Sequence, residues 1–222
     1  MVKKLFDLKL PEEGLVIVAG LPGVGKTYVL IEMTEELNQK GIKSVLLYAD
    51  GMASHDIVRY ENGEVRTSPS RLSRIRKVYP DLPYLVEDGA IWYTPYGWEK
   101  FITDFIEHEH PQAVFIDSVC APGEKASEEL LQTLQRIAGE KHILIFAEIN
   151  VSLSVISRKE RHPKPKDVMC ALRARKYVDR FIFVYRDVCF SAEETEKDKS
   201  IEIYASNGGK TTLPFEPEKY SN

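Results

Sequence analysis

One short stretch of this 222-residue chain has the residue types and spacing of a phosphate cradle. Gly20-Leu21-Pro22-Gly23-Val24-Gly25-Lys26-Thr27 fits the pattern G-x-x-x-x-G-K-[ST], with an apolar run before it and a helical pattern opening after it. The glycines let the backbone curl so that successive N–H groups converge on phosphate oxygens. The helix that starts at Lys26 adds its positive dipole end to the same anion. The chemistry implied is binding of ATP with Mg²⁺. Lys26 would reach the β- and γ-phosphates and the Thr27 hydroxyl would hold the metal. Gly20 through Lys26, Thr27 and the adjoining Tyr28 are thus the expected nucleotide-binding residues.

Such a loop needs a second metal ligand on a neighbouring strand, and Asp117, closing AVFID ahead of Ser118, is the expected one. Hydrolysis also needs a carboxylate to orient or activate water. Asp50 follows the run SVLLYA, and Glu148 closes HILIFAE; with Lys26 these are the candidate catalytic residues. A capping or surface carboxylate is the competing explanation for each. Between Arg158 and Lys176 stand eight basic residues against Glu160 and Asp167. Arg158, Lys159, Arg161, Lys164 and Lys166 form a candidate contact surface for single-stranded DNA, tracked through its phosphates. No aromatic residue interleaves before Tyr177, so a solvated face is the alternative. The cluster Arg71, Arg74, Arg76 and Lys77 fits an exposed helix flank, and Trp92, Tyr93 and Tyr96 fit burial at a sheet edge. His108 and His110 lack a third ligand in sequence reach, so no metal site is expected there.

The elements that must position these residues alternate between β-rich runs and helical periods, the pattern of a parallel sheet built from βαβ units. Strands are expected at 15–19, 44–49, 83–87, 113–117, 142–148 and 180–186, and helices at 26–39, 97–109 and 125–138, the last closed by Gly139. The segment 61–80 reads as polar and turn-rich, with a basic helix at 71–79, and 150–166 reads as a loop. SIEIYAS and TTLPF, separated by Asn207-Gly208-Gly209, predict an antiparallel edge hairpin over 200–215. One α/β domain over 1–222 is expected, with a lead-in at 1–13.

Hydrophobic residues make up 43% and charged residues 29%, which excludes a disordered chain, and the formal charge of −4 excludes a global basic field. Cys120, Cys170 and Cys189 are far apart and odd in number, which argues against a disulfide framework and suits a reducing compartment. No apolar run spans a bilayer and no signal-peptide pattern opens the chain, so a cytoplasmic protein without membrane contact is expected.

With these motifs in hand, the chain resembles the RecA-type ATPase domain of replicative DNA helicases of the DnaB kind. The resemblance runs through GLVIVAGLPGVGKT, VLLYADGMASHDIVR, AVFIDS and ILIFAEINVSL, then KDVMCALRARKYVDRFIFVYRDV and NGGKTTLPFEPEKYS. It implies a RecA-like P-loop NTPase fold, a mostly parallel central sheet flanked by helices with an antiparallel C-terminal edge hairpin, and ATP and Mg²⁺ as cofactors. It also implies DNA, a homo-oligomer or a partner protein as partners. The departures point to slow hydrolysis: the family's catalytic glutamate falls on Gly51 beside Asp50, and its γ-phosphate-sensing glutamine on Glu148. Its arginine of Asp-Leu-Arg falls on Met169, and its Lys-x-Arg finger on Tyr204-Ala205-Ser206. Arg186, beside Asp187, is read as pairing within its own chain. The family's N-terminal domain and docking linker are expected to be missing. Two functions follow: a slow, DNA-dependent ATPase, or a nucleotide-binding switch without helicase activity.

Overall fold

A computed structural model describes residues 8, 10–48, 57–61, 64–68, 84–86, 95–119, 124–186 and 200–215, with backbone alone at 48, 57–61, 64–68, 84–86, 95–98 and 101. The continuous apolar run after Pro11 forms β1 (Gly14–Gly20), all seven residues of which are buried. A strand buried on both faces belongs at the centre of a sheet, and β1 does lie between β7 (Leu144–Asn150) and β8 (Arg180–Tyr185). β6 (Ala113–Asp117), β2 (Ser44–Tyr48) and β5 (Tyr84–Val86) continue the parallel sheet beyond β7. On the other side β9 (Ser200–Ala205) and β10 (Lys210–Pro214) add the antiparallel edge. The order is β10-β9-β8-β1-β7-β6-β2-β5.

Helices α1 (Lys26–Gln39), α2 (Pro95–Glu109) and α3 (Glu128–Lys141) follow β1, β5 and β6. α1 packs on β1, β2 and β6, whereas α3 packs on β1 and β7 and carries α2 and the short 3₁₀ turn 172–177. Phe115 and Phe146 stack across β6 and β7, their ring centroids 4.3 Å apart.

Several boundaries depart from the sequence expectation: β7, expected at 142–148, runs Leu144–Asn150, so Glu148 stands two residues before its end, and α2 starts at Pro95 instead of 97. Helix α3 starts three residues late because Ser127 caps it, its Oγ accepting the Leu130 N–H at 3.1 Å. It then runs through Gly139 and stops at His142, which adopts φ 53. A single glycine near a helix end costs about 1 kcal/mol, too little to stop a helix whose other face is buried. A two-stranded antiparallel hairpin, β3 (Ile57–Glu61) with β4 (Glu64–Ser68), lies ahead of and within the start of the segment expected to be turn-rich. The expected basic helix 71–79, the cluster Arg71 to Lys77, Trp92, Tyr93, Cys120 and Cys189 lie outside the described residues.

Candidate phosphate site at the carboxyl edge

The loop between β1 and α1 is held by its apolar members. Leu21 and Val24 are 2% and 1% exposed, so these two side chains anchor the loop in the core, whereas Pro22 between them is exposed. Gly20 must lack a side chain, because a Cβ there would sit 2.6 Å from the Val184 carbonyl oxygen. Gly25 is at φ +98, and a Cβ would meet Ile201 Cδ1 at 2.7 Å. These are the marks of a backbone forced into a tight curl against its surroundings.

Lys26 and Thr27, the first two residues of α1, are both buried and both reach strand ends. Thr27 Oγ1 donates to the Asp117 carboxylate, with oxygens at 3.1 and 3.0 Å. Lys26 Nζ donates to the Leu21 carbonyl at 3.0 Å and to Asn150 Oδ1 at 2.8 Å, and pairs with Glu148 Oε1 at 3.0 Å. The sheet register explains the convergence: Val18 lies opposite Glu148 and Gly20 opposite Asn150, and residues two apart on a strand share a face. Glu148 is fixed from its other side too. Ser118, at φ 69, donates its hydroxyl to Glu148 Oε2 at 3.1 Å. A non-glycine residue in the left-handed region is a local strain that the surroundings must hold in place.

Of the residues expected from sequence, Lys26, Thr27, Asp117 and Glu148 thus stand together, and Asp50 lies outside the described residues. Asn150 and Ser118 were missed; Asn150 was signalled only by its two-residue spacing from Glu148. Tyr28 is 5% exposed, and its hydroxyl donates to the Pro214 carbonyl at 3.2 Å. Asp187 lies outside the described residues, and Arg186 beside it donates to the Gly23 carbonyl at 3.1 Å. Its guanidinium also lies 3.8 Å from the centroid of the Phe215 ring, which meets Tyr28 edge-on at 5.9 Å. No local signal announced this contact between the tail and the loop.

The basic segment is arranged differently. Arg158 makes a two-pronged pair with the buried Asp167 at 3.0 and 2.7 Å, and Asp167 also accepts the Lys164 backbone N–H at 2.8 Å. Lys164 pairs with Glu160 at 2.8 Å, Arg175 donates to the Lys166 carbonyl, and Lys176 pairs with Glu128. Lys159 and Lys166 are exposed. Tyr204 points back onto this segment, donating to the Pro163 carbonyl at 2.7 Å, and burial pushes its phenol above the usual range. Burial likewise raises the Cys170 thiol, partly offset by Arg175.

An eight-stranded, mostly parallel sheet with a glycine-rich strand-to-helix loop at its carboxyl edge defines an α/β fold of RecA type. Solved structures share it, two of them from helicases. The ATPase domain of a DnaB-like helicase superposes with a TM-score of 0.66 at 16% identity, over 96% of this chain and 84% of that one. A second DnaB-like replicative helicase, described with its interactions with primase, gives 0.65 at 17% identity over 94% of this chain. This chain spans 58% of that second helicase, less than two thirds of its length. The likeness is one of fold. No protein-family model matches the chain, and no curated protein matches it in sequence. Among the described residues no helix is long and apolar enough to cross a membrane.

Proposed function

We propose that this chain is a RecA-type domain that binds ATP or ADP with Mg²⁺ at the β1–α1 loop and hydrolyses ATP slowly. The observation that carries this reading is the convergence of Lys26, Thr27 and Asp117, all buried, beneath a loop whose glycines exclude side chains. Buried polar groups gathered at one sheet edge are costly unless they serve a ligand or one another. The residues fit the group: backbone N–H donors and Lys26 suit phosphate, and Thr27 with Asp117 suits a hard divalent cation. Bound magnesium would neutralise phosphate charge; Lys26 would hold and orient it. Calorimetric titration with Mg-ADP tests this, with Lys26→Ala as the control. The substitution removes a charge-assisted contact worth about 1.5–3 kcal/mol, so affinity should fall about tenfold or more. Unchanged affinity in the variant sinks the assignment.

The second function, a nucleotide-binding switch without strand-unwinding activity, is favoured by the Lys26–Glu148 pair and by Tyr204. The first places a carboxylate on the catalytic ammonium; the second is spent on Pro163 inside its own chain. A forked-duplex unwinding assay at saturating ATP should show no strand separation. For DNA, the exposed Lys159 and Lys166 are the stronger part of the proposed surface, since Arg158 and Lys164 are held by Asp167 and Glu160. Such binding would be insensitive to sequence and would weaken steeply with salt.

A further inference from the structure

Two buried carboxylates serve the first two residues of α1. Asp117 takes the Thr27 hydroxyl, whereas Glu148 takes Lys26 itself and is 5% exposed. Both Glu148 oxygens are engaged, one by Lys26 and one by Ser118, so the carboxylate is held in place from two sides. Asn150, two residues on along β7, completes a polar wall on the strand side of Lys26, opposite the Leu21 carbonyl of the loop. In a loop of this kind the backbone N–H groups cradle the inner phosphates while the lysine reaches the outer ones. A diphosphate therefore ends within the cradle. A triphosphate carries one more phosphoryl group past it, toward the strand ends where Glu148 and Asp117 stand. Asp117 is matched there by the metal it would share with Thr27, while Glu148 leans on the same ammonium that the phosphate must also use. Like charges brought together in a water-poor pocket repel far more than they do in bulk solvent.

Resting on the nucleotide reading above, we propose that Glu148 is a specificity-determining residue that makes this site take nucleoside diphosphates in preference to triphosphates. It does so by competing with the terminal phosphate for Lys26. The preference belongs to the ground state and is read from binding, without turnover.

The test is calorimetric titration of the full chain with Mg-ADP and, separately, with a non-hydrolysable Mg-ATP analogue. The parent chain should bind the diphosphate about tenfold or more tightly than the analogue, the scale of one lost charge contact. Glu148→Gln keeps the shape and the Ser118 bond but removes the charge. It should raise affinity for the analogue about tenfold and bring the two ligands within about threefold of each other. Equal binding by the parent, or tighter binding of the analogue, overturns the proposal without any variant. A diphosphate preference that survives in Glu148→Gln removes Glu148 from it while leaving nucleotide binding intact. Failure of both chains to bind either ligand overturns the nucleotide reading and this proposal with it.

Discussion

The two charged regions of the molecule are built on opposite terms. At the carboxyl edge of the sheet Lys26, Thr27, Asp117 and Glu148 are each less than a tenth exposed, and their polar atoms are fixed by contacts from several separate elements. In the segment 158–176 the cations are mostly exposed or half-buried, and several are tied to a nearby acid or carbonyl within the segment. Sequence density of charge is higher in the second region, yet the structural investment lies in the first. Buried charge demands that every neighbour cooperate, because an unmatched ion in a low-dielectric interior is expensive. Exposed charge asks little of its surroundings. Spacing alone does not separate the two; burial does.

The largest expected effect follows from breaking the buried pair. Lys26→Met should leave Glu148 without its ammonium and cost about 3–5 kcal/mol of stability in urea denaturation. A loss below about 1 kcal/mol would mean the pair is far more solvated than its burial implies. The combined Lys26→Met and Glu148→Gln variant should recover part of that loss, since the coupling is between contacting residues.

Asp167 sharpens the contrast, being the one buried acid within the basic segment. Asp167→Asn weakens the two-pronged bond from Arg158 and the bond from the Lys164 backbone, so a loss of about 1.5–3 kcal/mol is expected. The midpoint of the same denaturation curve measures it, and no shift would return Arg158 to the set of loosely held surface cations.

Tyr204→Phe comes next, losing one hydrogen bond to Pro163 at about 1 kcal/mol. It also has a pH signature. Burial raises the Tyr204 phenol in the folded chain, so folding retains a proton that the unfolded chain gives up near pH ~10. Its stabilisation is therefore complete below that pH and declines as pH rises above it. The alkaline limb of a stability–pH curve should be shallower in Tyr204→Phe; identical limbs would show that the phenol ionises freely in the fold.

Lys164→Met is the smallest perturbation. Its partner Glu160 is exposed, and thermal unfolding should not distinguish the variant from the parent. A clear shift there would erase the distinction between the two regions.

How much of this was legible beforehand depends on how local each feature is. β1, α1 and β6 were readable to within a residue or so, because a continuous apolar run, a 3.6-residue period and a strand-ending Asp each declare themselves within a few positions. Lys26, Thr27 and Asp117 followed from the motif and its strand–helix setting. The hairpin of β3 and β4 was signalled by alternating IVRYE and EVRTS around Asn62-Gly63, a turn pair overlooked beside so many polar neighbours. Asn150, Ser118 and Arg186 were a different matter. Lys26 and Asn150 are 124 positions apart and Gly23 and Arg186 are 163 apart, so only the strand order could bring them together.

That separation bears on when the site comes into being as the chain is made. The loop emerges from the ribosome before its supports, which arrive in sequence: Asp117, then Glu148 and Asn150, then Arg186, and after these Ile201 and Phe215 against Gly25 and the Arg186 guanidinium. Contacts of such high sequence separation form late and slowly. Stalled nascent chains ending before residue 180 should gain no protease protection from Mg-ADP, and protection at that length would show the loop to be self-sufficient. On the nucleotide reading, a growing chain would carry the complete motif before it could sequester its ligand, and competence would wait on backbone made as many as 163 positions after the loop.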